Sequence, residues 1–130
     1  MGEYENTLDD IKKNMGIVMD QFTAIPHDAL PHEWAEMKKF TFGESKIPAK
    51  YRELMGLAVA SAIHCPYCIH FHTGAARMHG ATDDEIAETA FLTRFTTGWS
   101  AILHAANIDL DEFKKQFAQV GDYLAKQAKH

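Results

Sequence analysis

Three prolines, each standing just ahead of an apolar segment, constrain the fold of this chain most strongly. Pro31, Pro48 and Pro66 fit the first turn of a helix, which is where proline is best tolerated. Around and behind them apolar residues recur at helical spacing, whereas the alternating β-branched runs typical of strands are missing. The pattern predicts an all-α fold, a single-domain bundle of about six helices.

Composition fits one globular domain and argues against several classes of partner. The chain has 130 residues, 46% of them hydrophobic, and a formal net charge of −5. We therefore expect one helical domain, residues 1–130, that is large enough to bury a core. The negative charge argues against a nucleic-acid partner. Because no apolar run suits a membrane span and no signal peptide is visible, we expect no membrane association and a cytoplasmic location.

Capping patterns and aromatic stripes refine the helical prediction. Thr7 with Asp10 resembles a capping box for a first helix that reaches about Thr23. Thr82 with Glu85 forms a second box, and a last amphipathic helix follows. Aromatic residues at helical spacing are expected in the core or at subunit interfaces: Trp34, Phe91, Phe95, Trp99, Phe113 and Phe117.

The two cysteines, Cys65 and Cys68, flank Pro66 at a predicted helix start. With Pro66 as the first helical residue, Cys65 is the N-cap, and both thiols lie close enough for a disulfide. The helix dipole stabilises a thiolate at this end. His72 lies one turn beyond Cys68 and can accept its proton. These residues predict a redox-active cysteine pair.

Other interpretations of the cysteines stay open at this point. The pair could form half of a zinc site with His72 as third ligand and His64 or His70 as fourth. Free cysteines also serve as plain buried hydrophobic residues. The Cys-Pro-Tyr-Cys string is similar to glutaredoxin and thioredoxin active sites, but in those proteins it follows a strand.

Glu53 extends the motif to E-x11-C-x2-C-x3-H, which ends at His72. This spacing, together with the surrounding text of residues 45–95, resembles the alkylhydroperoxidase D-like family within the carboxymuconolactone decarboxylase superfamily. The following Gly-Ala-Thr-Asp-Asp-Glu-Ile segment also fits the next helix start of that family. The four-residue spacing is specific, whereas C-x-x-C alone is not.

The resemblance implies a thiol-dependent peroxidase that reduces hydroperoxides. By the family pattern Cys68 is peroxidatic, Cys65 resolves it by forming the disulfide, and Glu53 and His72 belong to a proton relay. It implies no bound cofactor, a small hydroperoxide substrate, an external dithiol or thioredoxin-like reductant, and homotrimers or homohexamers built through helix faces. The alternatives are a general disulfide oxidoreductase, and a non-enzymatic helical assembly protein that binds zinc or senses redox state.

Two details depart from a simple transfer of that pattern. Family members carry a histidine just before the second cysteine, where this chain has Tyr67, so the relay is altered or shorter and His64 or His70 is a candidate substitute. The helix dipole favours Cys65 as the more acidic thiol, whereas the register of His72 favours Cys68. We follow Cys68, because a base close by can take its proton.

Helix geometry also predicts that Glu53 approaches His72. Straight helix places Glu53 roughly 18 Å along the axis from Cys65, and an antiparallel return brings His72 about 10 Å back. The remaining gap of roughly 8 Å is within reach of the two side chains or of one bridging water. Glu53 is therefore expected to orient His72. The alternative is a surface Glu53 paired with Lys50 or Arg52.

Overall fold

The computed structural model describes residues 2–129, which form seven α-helices and one short π-helical segment and contain no strand. In chain order these are α1 (Glu3–Met15), α2 (Asp20–Thr23), α3 (Leu30–Met37), the π-helical segment (Lys38–Phe42), α4 (Ala49–Ala62), α5 (Pro66–Met78), α6 (Asp83–Ala105) and α7 (Leu110–Ala128). The predicted all-α fold is confirmed.

The first predicted helix is in fact two helices. Gly16 ends α1 in the left-handed conformation, with φ at 85°, and the chain then forms the single turn of α2. The predicted capping box at Thr7 is wrong, because α1 begins four residues earlier, at Glu3. Instead, the Thr7 hydroxyl donates to the Glu3 carbonyl within the helix, and the Asp10 carboxylate bonds to α3.

The later helix starts follow their capping residues. The Thr82 hydroxyl accepts from the backbone N–H of Glu85, and the Glu85 carboxylate accepts from that of Thr82, which confirms the predicted box. Asp109 likewise caps α7 by accepting from the Glu112 N–H at 2.9 Å. These bonds satisfy N–H groups that have no partner inside the helix.

The helices pack as two groups, of which the first is α1 to α3. Its core consists of Ile11, Phe22, Leu30 and Trp34, all almost fully buried. Asp10 joins α1 to α3 because its Oδ2 accepts from Trp34 Nε1 at 2.8 Å and from Lys38 Nζ at 2.7 Å.

In the second group α4 is the central helix, with α5 on one side and α6 on the other. The buried positions of α4 are Glu53, Leu57 and Ala60. An ion pair of 3.0 Å between Lys50 and Glu85 ties α4 to the start of α6. This arrangement brings the middle of α4 against α5, which carries the cysteine motif.

The C-terminal helices leave a large apolar surface uncovered. Every described residue of α7 is exposed, and α6 has no buried residue. Of the predicted aromatic stripe, Trp34 is in the core, whereas Phe91, Phe95, Trp99, Phe113 and Phe117 are exposed in the single chain. Within residues 2–129, no helix combines the length and apolar character that a membrane crossing requires.

Candidate functional site

The turn between α4 and α5 places the two cysteines at one helix start. The chain leaves α4 at Ala62 and reverses through His64, which adopts the left-handed conformation with φ at 58°. Cys65 is the N-cap of α5, and its Sγ accepts from the backbone N–H of Cys68 at 3.2 Å. Cys65 and Cys68 form a disulfide, with their Cα atoms 5.4 Å apart. The structure therefore brings the cysteines together in the predicted register.

Glu53, which is buried, pairs with the half-buried His72 across the α4–α5 interface. Glu53 is only 4% exposed, and His72 Nδ1 lies 2.7 Å from its Oε2. The alternative of a surface Glu53 is wrong, since Lys50 pairs with Glu85 and Arg52 holds the loop that precedes α4. The two helices thus place a carboxylate and an imidazole in direct contact.

This contact sets which imidazole nitrogen carries a proton. An ionised carboxylate only accepts hydrogen bonds, so Nδ1–H of His72 donates to Glu53. In the neutral ring Nε2 then has a free lone pair and can act as a base. The edge-on ring of Phe71, with centroids 5.2 Å apart, flanks the imidazole. In this arrangement Nδ1 of His72 is engaged with Glu53 and Nε2 is not.

A cavity of about 630 Å³ reaches both Cys68 and His72. Its lining residues come from the α1–α2 connection, α2, α3, the π-helical segment and α5: Met19, Gln21, Met37, Thr41, Pro66, Tyr67, Cys68, His70, Phe71 and His72. Most of the lining surface is apolar, and the Cys68 sulfur and the His72 imidazole are among the polar groups that reach it. A small ligand with an apolar body fits such a site.

A second cavity, of about 510 Å³, reaches Glu53 and shares Thr41, His70 and Phe71 with the first. His70 lines both cavities, whereas His64 lines a separate crevice that residues of α4 and α6 form. Of the two candidate substitutes for the histidine that Tyr67 replaces, only His70 therefore faces this site. Tyr67 itself is 85% exposed.

The motif spacing did not indicate Gly56, which lies against the imidazole of His72. A Cβ atom on Gly56 would lie 2.5 Å from Cε1, 2.6 Å from Nδ1 and 2.7 Å from Nε2 of His72. The imidazole therefore packs flat onto the bare backbone of α4, three residues beyond Glu53. The only signal in the sequence is a glycine within a helix, where it is unfavourable relative to alanine.

The described part of the structure shows no set of side chains that would complete a zinc site around the cysteines. Across the part of the chain that the structure describes, no three or more histidine, cysteine or acidic side chains are grouped so that they could hold a metal ion.

Comparison with known proteins agrees with this architecture. The model of the Carboxymuconolactone decarboxylase family matches residues 28–110. "Uncharacterized protein 4 in cox locus" of Paracoccus denitrificans is 30% identical over 69 residues, 53% of this chain and 62% of that protein's length, which is less than two thirds of it. An uncharacterized protein of Cupriavidus necator is 26% identical over 99 residues, which cover 75% of this chain and 88% of that protein.

Among solved structures, the fold is similar to the alkylhydroperoxidase AhpD core of Rhodospirillum rubrum. The two chains share 32% sequence identity and superpose with a TM-score of 0.72. The match covers 85% of this chain and 84% of that one.

Proposed function

Since the chain belongs to the carboxymuconolactone decarboxylase family, we propose that it is a thiol-dependent peroxidase that reduces hydroperoxides through Cys65 and Cys68. The observation that carries the proposal is the pairing of His72 with the buried Glu53, because the imidazole lines the same cavity as Cys68. A charge buried at this position costs free energy unless it is paired, so the pair suits a chemical role better than a purely structural one. The fold match to an alkylhydroperoxidase core supports the same reaction.

The proposed reaction begins when Nε2 of His72 takes the Cys68 proton. The thiolate sulfur attacks the terminal peroxide oxygen, the O–O bond breaks, and the alcohol leaves with the proton that His72 returns. Cys68 is then a sulfenic acid. The Cys65 sulfur attacks the Cys68 sulfur, the disulfide forms and water leaves. Two thiols have given two electrons to the peroxide, and an external dithiol or thioredoxin-like protein returns them by disulfide exchange.

The cavity favours a hydroperoxide with an apolar body over hydrogen peroxide. Met19, Met37 and Phe71 offer apolar surface within reach of Cys68. We predict that Met19→Gln raises KM for cumene hydroperoxide about fivefold, which corresponds to roughly 1 kcal/mol of lost apolar contact. KM for hydrogen peroxide should not change. Met55→Gln is the control, because Met55 is exposed and lines a different groove, between α4 and α6. Equal effects of both variants would contradict this role for the cavity.

Mass spectrometry of the reduced protein tests the peroxidase proposal. One equivalent of hydroperoxide should remove two hydrogens from the wild type and leave one molecule of alcohol. Cys68→Ser should abolish peroxide consumption. Cys65→Ser should still consume peroxide, but Cys68 should stop at the sulfenic acid or oxidise further. If Cys68→Ser is active and Cys65→Ser is inactive, Cys65 is the peroxidatic cysteine and Cys68 the resolving one.

The same assay separates the alternative functions. A protein that ignores hydroperoxides but exchanges its disulfide with external dithiols is a general disulfide oxidoreductase. Thiols that are blocked until a chelator removes zinc indicate the non-enzymatic, zinc-binding alternative. Either result would reject the peroxidase.

We also propose that the protein is a homotrimer or homohexamer. α6 and α7 expose six large aromatic residues, and an exposed surface this rich in apolar side chains marks an interaction site. Closed symmetric assemblies of one chain are the usual way to cover such surfaces.

A further inference from the structure

We propose that Gly56 is a positioning residue for His72. Because glycine has no side chain, the imidazole ring can approach α4 closely enough to bond to Glu53. The inference rests on the proposed relay and adds a residue to it. The observation that supports it is the lack of space for a side chain at this position: a Cβ on Gly56 would lie 2.5–2.7 Å from three atoms of the imidazole. Real Cβ atoms essentially never come within 3.0 Å of another side chain, so any larger residue must displace the ring by about half an ångström or more.

The direction of that displacement matters more than its size. Gly56 follows Glu53 by three residues and lies on the same face of α4. A shift that relieves the contact with position 56 therefore also moves the ring away from Glu53. The hydrogen bond of 2.7 Å would lengthen toward the outer limit of about 3.2 Å for a good N–H···O bond.

Neither partner can easily follow such a shift. Glu53 is 4% exposed at the interface between α4 and α5, and the ring of Phe71 flanks the imidazole. The other titratable groups that line the larger cavity with the ring are Tyr67, Cys68 and His70, all on α5. Glycine within a helix normally destabilises it relative to alanine. Glycine at position 56 therefore lowers the stability of α4 but allows the close contact between His72 and the helix backbone.

The test compares Gly56→Ala with Gly98→Ala, whose new methyl group would meet open space within α6. Both are built on Cys65→Ser and kept reduced, so that alkylation reports on Cys68 alone. Gly56→Ala should shift the pH midpoint of Cys68 alkylation upward. It should also remove the downfield proton NMR signal of the His72 Nδ1–H. With Cys65 restored, it should lower kcat/KM for hydroperoxide about tenfold. Gly98→Ala should leave all three unchanged.

A double-mutant cycle separates positioning from a general loss of structure. If Gly56 acts through the ring, Gly56→Ala adds no further effect in a His72→Ala background, where the space for a methyl group is open. Full additivity, or an unchanged NMR signal and alkylation profile in the single variant, would overturn the proposal. The alkylation and NMR measurements need no peroxide. A wild type that consumes none would therefore reject the peroxidase and still leave Gly56 open to test.

Discussion

At the scale of single residues, the buried carboxylate of Glu53 is the least expected feature of the molecule. Transferring a carboxylate from water into a protein interior costs several kcal/mol, and one ion pair rarely recovers more than that. Replacing a buried ion pair by apolar residues of similar volume is often neutral or stabilising. We therefore propose that the pair with His72 serves to orient the imidazole toward the cysteine cavity rather than to stabilise the fold.

The Glu53→Gln variant tests that orientation, since it keeps the shape of the side chain and removes its charge. We expect the pH midpoint of Cys68 alkylation to rise and peroxide reduction to slow by about tenfold or more, in line with general-base catalysis. Glu85→Gln is the matched control, because it removes a carboxylate from the α4–α6 ion pair and retains a residue suited to the capping box. Unchanged rate and alkylation profile would leave the relay to His72 alone.

At the scale of elements, the cavity beside Cys68 depends on how the N-terminal helices and the π-helical segment lie over α5. Met37 ends α3, Met19 precedes α2, and both line the cavity beside Cys68. Asp10 holds this N-terminal group together by accepting from Lys38 and Trp34. The Lys38 bond first, and the Trp34 bond after it, lower the pKa of Asp10 below its ordinary value of 3.8.

This lowered pKa makes the stability of the N-terminal group depend on pH. A carboxyl group whose pKa is lower in the folded state stabilises it above the unfolded pKa of 3.8. The contribution is lost as pH falls through the folded pKa. We therefore expect Asp10→Asn to lower the unfolding temperature at pH 7, and the difference from wild type to shrink below 3.8. Because Asp10 is on the surface, the effect should be small.

Asp9→Asn is the control for this measurement, as Asp9 is an exposed neighbour in α1. Thermal unfolding followed by circular dichroism between pH 3 and pH 7 provides the comparison. A difference between wild type and Asp10→Asn that stays constant over this range would contradict the assignment.

At the scale of the whole molecule, the folding of a single chain does not account for the exposed apolar side of α7. It is a long amphipathic helix whose apolar residues are all exposed: Leu110, Phe113, Phe117, Val120, Tyr123 and Leu124. An amphipathic helix of a globular protein normally buries its apolar stripe. A second copy of the chain is the occupant that we propose for this surface.

Phe117→Asp should therefore reduce the mass found by light scattering at micromolar concentration from that of a trimer or hexamer toward that of one chain. Phe117 is 69% exposed in the monomer, so the substitution leaves the core of the single chain intact. Gln119→Asp adds the same charge on the polar side of α7 and should leave the mass unchanged. A wild type that already scatters as one chain would reject the assembly.

The helices and the register of the cysteine motif were predictable because their causes are local. Capping bonds join residues three apart, and Pro66 makes Cys65 an N-cap whatever the rest of the chain does. The Glu53–His72 pair was predictable for a related reason, since a short turn forces α4 and α5 to run antiparallel. The axial estimate left roughly 8 Å between them, which the two side chains close to a contact of 2.7 Å.

The other parts of the site depend on distances between segments that spacing along the chain does not encode. The contact of Gly56 with His72 follows from how closely α4 and α5 pack. A glycine in the sequence does not indicate which side chain of another helix will lie against it. Met19 and Met37 reach the cavity only because the N-terminal helices fold back over α5. Helical periodicity identified the apolar side of α7, but whether its own chain covers that side depends on the packing of every other helix.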